Sequence, residues 1–289
     1  MNKVILLNYA DQKFSIQQKY NYISAKFFGG FDEYHLTSDK DIDEQFKQSN
    51  CEIFNIERGG GLWLWKPYVI LKTLKTIDDD DVLVYCDSGT VFIRNISYLI
   101  DFMNRKKMDI LLFDTPLLEM QFTKKNVLNY FNSDGLKNQI LAGYMLMRKS
   151  EFTLRFFNEW LSLCQNIDFL YDDGKVKQHD YFLAHREDQS LLSLLAHSYN
   201  LPSFREPTQY GEHPWEYMRP GRFYCPLSHA ESDYPQILIS SRRWHPVSLC
   251  VIEFIKLLLY KSRIYTKEIY VNKHGYRQMQ LFDKEFINF

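Results

Sequence analysis

The stretch that most constrains the fold is Val82-Leu83-Val84-Tyr85-Cys86-Asp87-Ser88-Gly89-Thr90-Val91-Phe92. Its first five residues are apolar with no polar alternation. A strand of that kind is covered on both faces, which a chain achieves by laying helices over both sides of a mostly parallel sheet. The run ends in one carboxylate, then a small residue, then a glycine. In open α/β sheets ligands bind just beyond the carboxyl ends of the strands, so Asp87 is a candidate site residue. Ser88 and Gly89 leave room beside it for a close backbone approach. The same three residues also fit an ordinary strand-ending turn.

The preceding sequence predicts the rest of such a sheet. Val4-Ile5-Leu6-Leu7 reads as a first buried strand, with Asn8-Tyr9-Ala10-Asp11 as its carboxyl-end loop. Asp11 is a helix-capping type. Ile16, Tyr20, Ile23 and Phe27 then recur on one helical face, expected to turn inward, and Gly29-Gly30 ends the helix. Short strands at 31–36 and 51–56 and a helix at 39–48 complete a βαβαβ pattern. Arg58-Gly59-Gly60-Gly61 leads into Leu62-Trp63-Leu64-Trp65-Lys66-Pro67, and Pro67 suits the first turn of a helix reaching Ile77. A helix start offers free N–H groups to an anion, and Arg58 and Lys66 lie beside it. A packed, glycine-rich surface loop fits equally well. The four acids at 78–81 read as a solvated turn rather than a metal cluster.

Beyond the central strand, helices are predicted at 96–106, 124–131 and 150–164, the last with Leu154, Phe157, Leu161 and Cys164 inward. Strands are predicted at 109–113 and 140–148, the latter entered through Ala142-Gly143. The polar stretch 165–182 reads as a long loop. A helix opening at Glu187-Asp188-Gln189-Ser190 puts Asp188 on one face with Leu191 and Leu195. A carboxylate there needs a partner or a cleft, unless it serves only the helix dipole.

Composition limits what such a chain does. The 22 Phe, 20 Tyr and 5 Trp suit a core, or a cleft for a nucleobase or sugar. The net charge of −1 gives no global nucleic-acid signal. From Arg219 onward, however, 11 Lys and Arg meet 6 Asp and Glu, against 24 and 30 before it. A basic end of that kind meets phosphates, an anionic membrane surface, or simply solvent. Five scattered cysteines form no CxxC pair, so we expect reduced thiols, no structural zinc and a cytoplasmic setting. Met1-Asn2-Lys3 runs straight into a strand, and no signal peptide is expected. Residues 247–260, the most apolar segment, are too short and too polar to span a bilayer. We expect an α/β domain over 1–218 and a basic, aromatic, helical and irregular C-terminal extension over 219–289 packing on it.

Together Asn8-Tyr9, Trp65-Lys66-Pro67, Tyr85-Cys86-Asp87-Ser88-Gly89, Ala142-Gly143-Tyr144-Met145-Leu146 and Glu187-Asp188-Gln189-Ser190 resemble the GT-A-type glycosyltransferases. The resemblance is to bacterial and viral members that build surface polysaccharides and glycans. It covers residues 3 to about 198 and rests on the order and spacing of these stretches. It implies a Rossmann-like sheet and transfer of a sugar from a nucleotide sugar to a glycan or lipid-linked hydroxyl, in the cytoplasm or at the inner membrane surface.

The resemblance also implies roles for individual residues. Asn8 and Tyr9 would hold the base and ribose, with Arg58, Trp65 and Lys66 also near the donor. Asp87 would stand as the first acid of the Asp-x-Asp motif, meeting ribose and a divalent metal. Ala142 and Gly143 would border the sugar and acceptor. Asp188 and Gln189 would lie beneath the transferring sugar, as base in an inverting reaction or cation stabiliser in a retaining one. Gly89 replaces the motif's second acid, so manganese or magnesium would need another ligand, and His245 resembles the late histidine that supplies one. The alternative is metal-free transfer, with Lys66, Arg242 and Arg243 neutralising the diphosphate. A member that binds nucleotide sugar or glycan without catalysis is a further alternative.

Overall fold

A computed structural model describes residues 2–175, 177–240, 246–262 and 266, and it puts the Val82–Cys86 run inside a seven-stranded sheet. The strands in chain order are β1 (Val4–Tyr9), β2 (Glu33–Thr37), β3 (Val82–Cys86), β4 (Thr90–Phe92), β5 (Ile110–Leu118), β6 (Asn138–Ile140), β7 (Tyr144–Arg148), β8 (Ser203–Phe204) and β9 (Leu238–Ser240). The sheet order is β2-β1-β3-β7-β5-β6, with β8 also paired to β5. Strands β1, β2, β3, β5 and β8 run one way, while β6 and β7 run against them, so the sheet is mostly parallel. Strands β4 and β9 form a separate ladder.

The longer helices are α1 (Ser15–Ser24), α2 (Trp65–Thr76), α3 (Ser97–Lys106), α4 (Glu151–Cys164), α5 (Glu187–Ser198) and α6 (Pro246–Lys261). Every residue of β3 is buried, and alternate side chains feed two cores. Leu83 and Tyr85 join the core roofed by α2, α4 and α5. Val82, Val84 and Cys86 join the core that holds Leu99, Phe102 and Met103 of α3, together with Ile237 and Leu238. Residues beyond 218 thus contribute to the second core, and the Cys225 N–H also bonds the Pro116 carbonyl (2.8 Å).

Local departures from the expected elements have physical causes. Residues 51–56 form a helical turn, Cys51–Phe54, rather than a strand. Only Ile53 in that turn is fully buried, and so short an apolar run has no decisive period. The 140–148 stretch is two strands, because Leu141, Ala142 and Gly143 break the ladder between β6 and β7. In the opposite sense, β5 continues to Leu118, past the end expected at Phe113. Helix α4 buries Phe157 and Cys164 as expected, but its inward face is broader and also takes in Phe156, Trp160 and Leu163, leaving Leu154 and Leu161 half-buried at its edge.

Helix α1 is turned over. Ile16, Ile23 and Phe27 are exposed, and Asn21 and Ser24 are buried with Ala25 just beyond. Asn21 Nδ2 donates to Thr90 O and Thr90 Oγ1, and Ser24 Oγ accepts the Phe92 N–H. Close approach to the β4 backbone demands small, hydrogen-bonding side chains, and the apolar ones face outward.

Candidate active site

The site is assembled at the carboxyl end of β3. Cys86 lies opposite Tyr144, and the Asp87 N–H donates to Gly143 O (2.7 Å). Gly143 leaves room there: a Cβ at this position would stand 3.3 Å from Asp87 Oδ2. Alternation continues past β3, so Asp87 shares the face of Tyr85, whose hydroxyl donates to Asp87 Oδ1 (2.7 Å). Burial and the neighbouring Asp87 carboxylate push the Tyr85 phenol well above its ordinary range.

The second contributor is the start of α2. Residues 59–63 all take positive φ, including the non-glycine Leu62 and Trp63. Glycine is required at position 61, where a Cβ would meet Phe54 at 2.8 Å. This tight turn delivers Trp65, whose indole N–H donates to Gly59 O (2.9 Å) and whose ring stacks on Tyr9 at 3.7 Å and 17°. Lys66 follows, pointing into the protein. Its side chain is 3% exposed, yet its Nζ lies 2.9 Å from Asp188 Oδ2 and 3.5 Å from Asp87 Oδ1. The ammonium also sits 5.7 Å from the Tyr85 ring centre and 5.8 Å from that of Trp65.

The third contributor is the first turn of α5. Glu187 has φ +35° and receives Arg58 Nε at 2.6 Å, while Arg58 also covers the Trp63 ring at 5.5 Å. Burial raises the Glu187 carboxyl pKa, and the Arg58 contact opposes that shift. Asp188 is buried, and its carbonyl accepts the Trp160 indole N–H (3.0 Å). Gln189 Nε2 donates to Gln139 Oε1 (2.9 Å), which also receives Arg186 (3.2 Å). Gln139 is fully buried, and its own amide N–H groups point to Phe122 O, Thr123 Oγ1 and Ser190 Oγ. Its Oε1 must therefore be the acceptor, which turns the Gln189 amide oxygen away from it.

The structure thus gathers Lys66, Asp87, Asp188 and Gly143, with Trp65 and Tyr9 stacked beside them and Arg58 clamped to Glu187. Ser88 is buried in the turn after Asp87, and Gly89 follows it. Ala142 is buried next to Gly143. Asn8 lies deeper: it is fully buried, its Nδ2 donates to Cys86 O (2.9 Å), and it ties β1 to β3. His245, Arg242 and Arg243 lie outside the described residues. Tyr85 and Glu187 lie inside stretches the sequence had marked but were given no role, and Gln139 and Arg186 were not singled out. Tyr85 had a usable signal, since it stands two residues before Asp87 on the same strand face. Gln139 had none, because its partners come from a loop and a helix distant in sequence.

The donor set can be tested against a divalent metal. Such an ion wants several oxygen ligands at once. Asp87 offers one carboxylate, its Oδ1 already receives Tyr85 and faces Lys66, and Gly89 offers nothing. Among the described residues no three His, Cys, Asp or Glu side chains converge as a metal site. The described residues do not by themselves fit a divalent ion.

The arrangement is instead a buried ammonium between two carboxylates at the mouth of a mostly parallel sheet, flanked by stacked rings. It offers fixed cations for an anionic group and carboxylate and amide oxygens for a polar, hydroxyl-bearing one.

No family model matches the sequence, and no curated protein matches it. Solved structures do. The chain is similar to the galactosyltransferase LgtC in complex with donor and acceptor sugar analogues, at a TM-score of 0.50 and 14% identity, over 86% of this chain and 94% of that one. It is also similar to mouse xyloside xylosyltransferase 1 (TM-score 0.47, 11% identity, 84% and 98% covered). A third match is the bifunctional glycosyltransferase WbbM (0.47, 10%, 84% and 46%). The chain has the GT-A glycosyltransferase fold.

Proposed function

We propose that this protein is a glycosyltransferase that moves a sugar from a nucleoside-diphosphate sugar to a hydroxyl of a glycan or lipid-linked acceptor in surface-glycan synthesis. We place it in the cytoplasm, in peripheral contact with the inner membrane surface through its basic C-terminal end. The observation that carries the reading is Lys66, held between Asp87 and Asp188 where strand β3 ends. An ammonium so placed meets the negative charge of a departing diphosphate without reorganising. Stacked Tyr9 and Trp65 beside it suit a nucleobase or a sugar face. Asp188 and Gln189, at the first turn of α5, face the developing oxocarbenium character of the sugar. The Arg58–Glu187 clamp and the indoles of Trp63 and Trp65 restrict water there.

One observation favours a second reading, a binder without catalysis: Gly89 supplies no second acid. A thermal-shift panel of nucleotide sugars, with and without manganese, followed by donor-hydrolysis and transfer assays, separates the two. Transfer with the stabilising donor, cut about 100-fold or more by Asp188→Asn in a folded variant, supports catalysis. Donor stabilisation with neither transfer nor hydrolysis assigns the binder, and no stabilisation by any nucleotide sugar overturns both. Stabilisation that appears only with manganese would assign a metal held between Asp87 and the donor diphosphate, with any further ligand, such as His245, outside the described residues.

A further inference from the structure

A cavity of about 320 Å³ lies at the far end of α5 from Asp188. His197, in the last turn of the helix, lines it, so its near wall is about 13 Å along α5 from that carboxylate. The imidazole Nε2 meets Asn138 O of β6 (2.9 Å), which fixes this end of α5 against the sheet. Asn200, Leu201 and Pro202 form the turn that leaves α5, and Ser203 opens β8. Leu227 completes the rim and is 46% exposed.

The polar groups of this wall have capacity to spare. The exit from α5 is a left-handed cap: Asn200 has φ +53°, its N–H donates to His197 O (3.1 Å), and the Leu201 N–H donates to Ala196 O (2.9 Å). Backbone meets backbone there, which leaves the exposed Asn200 side-chain amide for another partner. Asn138 is 3% exposed, and its Nδ2 donates to Cys225 O (2.8 Å). Among the described residues its buried Oδ1 accepts no hydrogen bond. A buried acceptor is costly to leave unmet, so one in a cavity wall calls for a donor from outside. The Ser203 hydroxyl donates to Asp114 Oδ2 (2.6 Å) and can still accept.

This set selects a chemical class. No Asp, Glu or Cys lines the cavity and Lys137 does, so it does not suit a metal cation. No Phe, Tyr or Trp lines it, so a flat base has nothing to stack on. Amides that both donate and accept, a hydroxyl, and apolar Leu201, Pro202 and Leu227 suit a ring that alternates hydroxyl groups with C–H faces. That ring is a sugar.

We infer that this cavity is a glycan subsite. A sugar hydroxyl donates to Asn138 Oδ1, the Asn200 amide holds a second hydroxyl, and Pro202 and Leu227 cover a C–H face. Joined to the glycosyltransferase reading, on which this step rests, the subsite makes the acceptor a chain that reaches from Gln189 to the end of α5. The protein then extends an oligosaccharide rather than a single sugar.

The test is a ligand-observed NMR titration of the full chain, without donor, using lactose, maltotriose, chitotriose and trigalacturonate in turn. Binding of at least one is expected. Asn200→Gly keeps the left-handed turn and removes the amide, and Leu227→Trp fills the rim. Each is expected to weaken that binding about tenfold or more, with the thermal midpoint and any donor-induced stabilisation unchanged. Absence of binding by all four overturns the inference. So does binding that survives both variants, which would seat the sugar elsewhere. Donor stabilisation without oligosaccharide binding overturns the subsite and leaves the catalytic reading in place. Oligosaccharide binding that both variants weaken, with no stabilisation by any donor, upholds the subsite and removes the catalytic reading.

Discussion

Lys66 Nζ lies 2.9 Å from Asp188 Oδ2, with both side chains withdrawn from water. Removing one partner of a buried pair leaves an uncompensated charge, which costs about 3–5 kcal/mol. Lys66→Met should therefore lower the free energy of unfolding by about that amount. Adding Asp188→Asn should recover part of the loss, because the orphaned carboxylate is gone. Urea denaturation of the wild type, both single variants and the double variant reads the coupling directly. Additive losses would show that the pair is not coupled in the folded protein.

Gly143→Ala probes the other side of Asp87. The added methyl would stand 3.3 Å from Asp87 Oδ2, so the carboxylate must shift by a few tenths of an ångström. The position requires no positive φ, so stability should change by less than about 1 kcal/mol. Donor affinity in a nucleotide-sugar titration should nonetheless fall several-fold, with the thermal midpoint nearly unchanged.

The proposed role of Gln189 makes Gln139 a positioning residue, because its Oε1 holds the Gln189 amide. Gln139→Leu removes the acceptor that fixes the Gln189 amide, and it also abandons Arg186. Turnover should fall about tenfold or more with donor KM little changed, because a misoriented amide affects the transition state more than the bound donor. Gln139→Glu keeps the acceptor and should recover more turnover than Leu. Equal turnover in the Leu and Glu variants would remove Gln139 from a positioning role.

His185 predicts how the fold responds to acid. It is buried, its Nδ1 accepts the Lys124 N–H (3.3 Å), and its Nε2 meets Phe169 O (2.9 Å). Burial, then the nearby Lys124 charge, lowers its pKa to about 3. The unfolded chain takes up this proton near pH 6.5, whereas the folded one does so only near 3. The neutral ring thus stabilises the fold above pH 6.5, and that contribution falls by about 1.4 kcal/mol per pH unit as pH drops toward 3. His185→Gln, measured by urea melts at several pH values between those limits, should flatten the decline.

Much of the site was legible because strand grammar is local. The Val82–Cys86 run, the Trp65-Lys66-Pro67 helix start and the Asp188 helix each carry their signal within a few residues, and each forms where expected. What the sequence could not supply is pairing across distance. Lys66 reads as a cation beside a glycine loop, and nothing local says it will be buried between Asp87 and Asp188. The α1 stripe misleads for a related reason: Ile16, Ile23 and Phe27 have the right period, but the β4 backbone selects Asn21 and Ser24 by their hydrogen bonds. Residues 140–148 read as one strand because a three-residue interruption has no weight in a hydrophobic pattern.

That interruption has a consequence for how such a chain can diverge. Gln139 braces the Gln189 amide, Gly143 receives Asp87, and Tyr144 donates on the opposite sheet face to the buried Glu206. Three separate jobs are thus set by the count of residues along one short length of backbone, like notches on a ruler. A single insertion between Gln139 and Gly143 would put two of the three out of step. Among proteins of this shape, spacing inside this segment should outlast the identity of the residues that fill it.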